Sequence, residues 1–82
     1  MSDGVREEVL DTRGQLCPKP FVELVKILFR VGEGGVIRIY TDDESCIDYI
    51  PKHVEEVGLR IESIERREGF AVITIRVVEK IL

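Results

Sequence analysis

A chain of 82 residues has room for one small domain, of the size that buries about 60–65% of the surface its unfolded chain exposes. Hydrophobic content of 44% with 34% charged residues describes a folded, well-charged protein. A net charge of −4 and an isoelectric point near 5.0 argue against stable, direct nucleic-acid binding, which needs a basic footprint. Two cysteines are too few for a disulfide scaffold. Residues 1–8 are polar and charged and no transmembrane stretch follows, so no membrane association is expected and a reducing cytoplasm is the default setting. The absence of Asn, with one Gln, one Met and many Glu, Arg, Ile and Val, leans toward a thermophilic source.

Residues 1–6 are expected to fray, and Glu7 to Leu10 reads as a short first strand. The loop 11–16 follows, with Gly14 free to supply a turn. The first helix is predicted from Pro18 to Val31. Pro18 would take the first helical position, where its fixed φ is already helical, and Pro20 would stay inside the first turn. Cys17 then falls at the N-cap. With two prolines in the turn, the amides of Cys17 and Lys19 remain unpaired and would point toward the sulfur.

That placement favours the thiolate. A helix terminus contributes about 0.3–1 kcal/mol for an exposed charge, so the dipole alone moves the thiol by less than about one pKa unit. Amide bonds to sulfur, with Arg13 or Lys19 nearby, would add to this. Cysteine is a weak N-cap compared with Ser, Thr, Asp or Asn, which favours a chemical role for Cys17 over a structural one.

On the helix itself, Lys19, Glu23, Lys26 and Arg30 form a narrow polar arc. Phe21, Val22, Leu24, Val25, Ile27, Leu28, Phe29 and Val31 occupy the rest, wide enough to meet a sheet, a second helix and a partner. Gly32-Glu33-Gly34-Gly35 stops the helix. It precedes a strand, so it is not a phosphate loop. Val36 to Thr41 alternates as a second strand, with Ile37 and Ile39 on one side and Val36, Arg38 and Tyr40 on the other.

Asp42-Asp43-Glu44-Ser45 caps a second helix predicted over Asp43 to Val57. N-capping explains these acids more simply than cation binding. Cys46, Ile47, Ile50, Val54 and Val57 share its apolar face, and Pro51 should kink the helix or split it. His53, the one histidine, sits at the apolar boundary and reads as a boundary residue rather than a base. Gly58 ends the helix. Leu59 to Glu65 is the third strand, with Leu59, Ile61 and Ser63 inward. A hairpin turn at Arg66-Arg67-Glu68-Gly69 leads to a strong fourth strand, Phe70 to Val78.

The order β-α-β-α-β-β predicts a two-layer sandwich, a four-stranded mixed sheet with both helices on one face. If the first two strands are parallel, both helices start at the same sheet edge. Cys17, the loop around Arg13 and the acids Asp42, Asp43 and Glu44 would then share one end of the molecule.

Asp11, Gly14, Cys17, Pro18 and Pro20, at this spacing and ahead of this helix, resemble the TusA family of sulfur carriers, also called SirA-like. The likeness continues through the Gly-rich turn, the strand ending in Asp42-Asp43 and the segment Asp48-Tyr49-Ile50-Pro51, covering about Leu10 to Val78. The resemblance implies the same two-layer sandwich and a single domain. It implies a persulfide on Cys17, received from a cysteine desulfurase or another sulfur donor protein and relayed to a downstream acceptor protein. Asp11, Arg13, Gly14, Pro18, Lys19 and Pro20 would shape the site. No resident cofactor or metal is expected; no Cys/His set has zinc spacing. With no base in obvious reach, partners would supply the acid–base chemistry, making the chain a carrier rather than a self-sufficient enzyme.

The family's members serve RNA thiolation, molybdenum-cofactor, selenium-related and sulfur-oxidation pathways. Members serving transfer-RNA thiolation carry an acidic residue between the two prolines. Lys19 would meet a partner's charges with the opposite sign, which sets the RNA role in question. Cys46 is not part of the family motif. Its phase with Ile50, Val54 and Val57 favours a buried small hydrophobe, and its place at the shared edge leaves a second role open, resolving a persulfide or forming a disulfide. Two other functions stand against the carrier: a thiol-redox protein using Cys17 with Cys46, and a regulatory interaction module whose cysteine is incidental.

Overall fold

The computed structural model describes residues 7–78; the frayed segment expected at 1–6 lies outside them. The elements are β1 (Glu7–Asp11), α1 (Lys19–Leu28), β2 (Val36–Thr41), α2 (Glu44–His53), a short 3-10 helix (Val54–Val57), β3 (Leu59–Arg67) and β4 (Phe70–Val77). The sheet order is β1-β2-β4-β3. β1 pairs parallel to β2, β4 pairs antiparallel to β2, and β3 pairs antiparallel to β4. This is the α+β sandwich expected from the alternation of strand and helix patterns.

Strand alternation decides which side carries the core. Ile37, Ile39 and Thr41 of β2 and Ala71, Ile73, Ile75 and Val77 of β4 are buried on the helix side. Leu24, Ile27, Leu28 and Val31 pack against them from α1 and its exit, with Cys46, Ile50 and Val54 from α2 and the 3-10 turn. The other side of the sheet carries Arg38, Tyr40, Phe70 and Thr74, none of them fully buried.

Two local expectations change and one is met. α1 ends at Leu28, ahead of the Gly-rich stretch, and leaves through turns closed by Arg30 N–H to Ile27 O at 2.9 Å and Val31 N–H to Leu28 O at 3.2 Å. Gly34, at φ +88°, then bonds Val77 O through its N–H at 2.8 Å, so the glycine run docks on the end of β4. The second helix does split: α2 runs two residues past Pro51, then tightens into the 3-10 turn that Gly58 closes at φ +83°. Pro51 cannot return the i→i−4 hydrogen bond, which weakens the last turn.

Ser63 is the second correction. The β3–β4 register slips between Ile61 and Ser63, so Ile61 pairs with Ile75 but Ser63 pairs with Thr74 and Ile64 with Ile73. One extra residue in a strand reverses which face follows it. Ser63 therefore sits on the outer face, and Ile64 takes the helix side at the sheet edge, 40% exposed. Among the described residues no helix is long and apolar enough to cross a membrane.

Leu24, fully buried under the sheet, tests this packing. Leu24→Ala should lower the unfolding free energy by about 2–5 kcal/mol, measured by denaturant titration. A loss below about 1 kcal/mol would be that of a surface position.

Candidate functional site

Because β1 and β2 run parallel, the loops leaving them emerge at the same sheet edge. The ladder extends one residue beyond β1: both the N–H and Oγ1 of buried Thr12 donate to Tyr40 O, each at 2.8 Å. Gln15 N–H bonds Thr12 O at 3.0 Å, and Gly14 turns the chain at φ +90°, where a side chain would be strained. The Gly14 N–H is shared by the two carboxylate oxygens of Asp42, at 3.0 and 3.1 Å.

The next acid along β2's exit holds the cysteine. Asp43 Oδ2 accepts the Cys17 N–H at 2.7 Å, while its Oδ1 accepts both the N–H and the Oγ–H of Ser45 at 3.0 and 2.9 Å. Asp43 is thus the N-cap of α2 and a clamp on Cys17 at once. Its own carbonyl accepts the Cys46 N–H at 2.9 Å. The Cys17 amide most of all, and the Ser45 hydroxyl and amide after it, hold the Asp43 carboxyl below its ordinary value of 3.8.

The head of α1 differs from the expected one. Pro18 is the N-cap, joined to Cys17 by a cis peptide bond, and Lys19 is the first helical residue. Cys17 lies one residue outside the cap. The Lys19 N–H closes a turn onto Leu16 O at 2.9 Å, and Val22 N–H begins the helical ladder at Pro18 O. Neither amide expected to face the sulfur is free, because a carboxylate and a carbonyl, both better acceptors than sulfur, have taken them.

Cys17 and Cys46 form a disulfide, with S–S 2.05 Å and Cα atoms 5.2 Å apart across 29 positions of sequence. Cys46 is fully buried in the core, as its phase on the helix predicts, yet it is not a free thiol. Cys17 is half-buried, flanked by Leu16 at 76% exposure. The short distance suits redox work; the unequal exposure gives the two sulfurs different access.

Other motif residues divide between the two sides of the sheet. Arg13 forms a paired contact with Asp11, Nε to Oδ1 at 2.9 Å and Nη2 to Oδ2 at 2.8 Å. Its guanidinium lies 4.9 Å from the Phe70 ring centre and 5.6 Å from that of Tyr40, two rings stacked on the outer face. The pair lowers the Asp11 carboxyl and raises Arg13, and engages Arg13 on the side away from the helices. Pro20, in the first turn of α1, is buried. Lys19 is exposed and makes no ion pair or side-chain hydrogen bond among the described residues. Lys26 reaches Glu23 at 3.5 Å and Arg30 reaches Glu8 at 3.8 Å, so among the described residues Lys19 is the unpaired cation of the polar arc.

Sequence reasoning missed the second bond of Asp43 and the cluster between the helices. Phe21 meets Tyr49 and His53 with ring centres at 5.5 and 6.2 Å, and Tyr49 and His53 lie 4.1 Å apart. Phe21 follows Cys17 by four residues, and Tyr49 follows Cys46 by three, so this cluster packs α1 on α2 close to the sulfurs. His53 is half-buried there as a packing residue. The spacing of aromatics on both helices was the available signal.

Fold and site together define a small α+β domain with a Cys-Pro-x-Pro turn leading into its first helix, pinned to the cap of its second. The model of the sulfurtransferase TusA family matches residues 8–77. A protein of Archaeoglobus fulgidus, named as a candidate sulfur carrier, is 34% identical over 62 residues, 76% of this chain and 85% of that one. The sulfur carrier protein TusA of Pseudomonas entomophila is 29% identical over 69 residues, 84% of this chain and 86% of its own length. A solved SirA-like protein of Desulfitobacterium hafniense superposes with a TM-score of 0.73 at 32% identity, covering 87% of this chain and 97% of that one. The chain belongs to the TusA family.

The clamp carries a pH prediction. A carboxyl lowered by folding contributes stability that is full above its unfolded value and is lost as pH falls through the folded one. The Cys17 amide resonance should therefore stay constant from neutral pH into mild acid and shift with a midpoint below 3.8, the ordinary aspartate value. A midpoint above 3.8 in an NMR titration would contradict the Asp43 bond.

Proposed function

We propose that the chain is a sulfur carrier that accepts sulfane sulfur as a persulfide on Cys17 and relays it to an acceptor protein. Family membership supports the carrier role. The single observation that carries the assignment to Cys17 is the unequal exposure of the two cysteines: Cys17 is half-buried at the head of α1, and Cys46 is sealed in the core. A donor's persulfide can reach only the accessible thiolate.

The surroundings suit docking. Leu16, beside Cys17, offers an exposed apolar contact, and Lys19, unpaired among the described residues, offers a cation on the other side of Pro18. Together they fit a donor or acceptor protein presenting an acidic rim around its own reactive cysteine. Asp43 fixes the Cys17 backbone from the opposite side, so the sulfur is held at a defined position without a side-chain base of the chain's own. Proton transfer then falls to the partners. The cytoplasm, where thiols are kept reduced, is the compartment this chemistry needs.

The thiol-redox reading has one specific observation in its favour, the Cys17–Cys46 disulfide. In that reading the pair would shuttle electrons and no sulfur would accumulate on the protein.

Intact-mass analysis of the reduced protein after incubation with a cysteine desulfurase and cysteine separates the two. Carrier chemistry predicts a gain of one sulfur, about 32 Da, reversed by reductant and absent in Cys17→Ser. No adduct on any variant, with the desulfurase shown to be active, would overturn it. An adduct retained in Cys17→Ser and lost in Cys46→Ser would place the sulfur on the other cysteine.

A further inference from the structure

We propose that Cys46 is the second reacting group of this site: it attacks a persulfide on Cys17, releases the terminal sulfur as sulfide and leaves the Cys17–Cys46 disulfide. The inference rests on the carrier reading of Cys17 and adds a second outlet for the sulfur, reductive release when no acceptor is docked.

Geometry carries it. The two Cα atoms are 5.2 Å apart, inside the range of about 4.4–6.8 Å that allows a bridge without moving the backbone. One residue holds both chains in place, since Asp43 accepts the Cys17 N–H on its carboxylate and the Cys46 N–H on its carbonyl. Displacement at sulfur runs in line, with nucleophile and leaving group on opposite sides of the sulfur attacked. Cys46 is fully buried and reaches the Cys17 sulfur from the protein side. The leaving sulfur is then on the side open to solvent. Burial also keeps Cys46 from external donors, so sulfur enters through Cys17 alone.

The step balances without any external oxidant. The Cys46 sulfur supplies an electron pair to the Cys17 sulfur, and the bond between that sulfur and the terminal one breaks. The terminal sulfur leaves with the bonding pair as hydrosulfide, together with the proton from Cys46. Sulfane sulfur is reduced to sulfide, and the two cysteines are oxidised to the disulfide. Restoring the carrier takes a dithiol reductant, whose exchange begins at the accessible Cys17 sulfur. A docked acceptor thiolate that attacks the terminal sulfur first takes it as sulfane, and Cys46 is not used.

The test uses the whole chain, reduced, desalted and mixed with inorganic polysulfide under argon, quenched with iodoacetamide at intervals and read by intact mass. Cys46→Ala should gain about 32 Da and keep it. The wild type should lose the same adduct at least about tenfold faster, passing at the same rate into an unalkylated species about 2 Da lighter than the reduced chain. One sulfide should appear per bridge formed. A wild-type adduct that lasts as long as that of Cys46→Ala would overturn the role of Cys46 and leave Cys17 as carrier. Absence of any adduct on Cys46→Ala would overturn both readings together. Cys46→Ser provides a second folded background, and the matched rates of adduct loss and bridge formation test the step in the wild type alone.

Discussion

One carboxylate joins the two halves of this site. Asp43 leaves β2 at the edge where β1 also ends, caps α2 through Ser45, and takes the Cys17 amide from a loop 26 residues earlier. Each bond alone is a common device of a helix cap or loop. Made by one side chain, they fix the cysteine turn of the first helix against the first turn of the second. Asp42 repeats the device one residue earlier, binding the Gly14 amide. The parallel pairing of β1 with β2 is what brings these acids within reach, so the sheet's topology is a condition of the site.

The two sulfurs inherit different surroundings from this arrangement. Cys46 is the first apolar residue on the inner face of α2, and its position is set by the same periodicity that buries Ile50 and Val54. Cys17 lies in a turn held by hydrogen bonds, its side chain packed on the edge of the core and beside the exposed Leu16. On the proposed reading, a sealed sulfur within bonding distance of an accessible one combines a loading point with an internal nucleophile. Neither requires a metal ligand set or a side-chain base.

Much of the fold was legible because its signals are local. Alternation in 36–41 and 70–77 marked both central strands and their inner faces, and the strand–helix order implied the shared edge. The Cys-Pro-x-Pro spacing carried the family. Four features were not legible, each for a physical reason. Two prolines allow a helix to start at either Pro18 or Lys19, and the choice falls to the Leu16–Lys19 turn, which removes the amides expected at the sulfur. The bulge after Ile61 shows no glycine or proline, so simple alternation puts Ser63 on the wrong face. The cap at Asp43 was readable, but its bond to Cys17 depends on tertiary placement. Arg13, near Cys17 in sequence, is drawn by Asp11, Tyr40 and Phe70 to the opposite face of the sheet.

Division of labour between an accessible Cys17 and a sealed Cys46 is the central claim, and the rate at which each thiol of the reduced protein is alkylated tests it most directly. Peptide mapping after timed exposure to iodoacetamide should show Cys17 modified at least about tenfold faster than Cys46. Equal rates, or faster modification of Cys46, would contradict the arrangement.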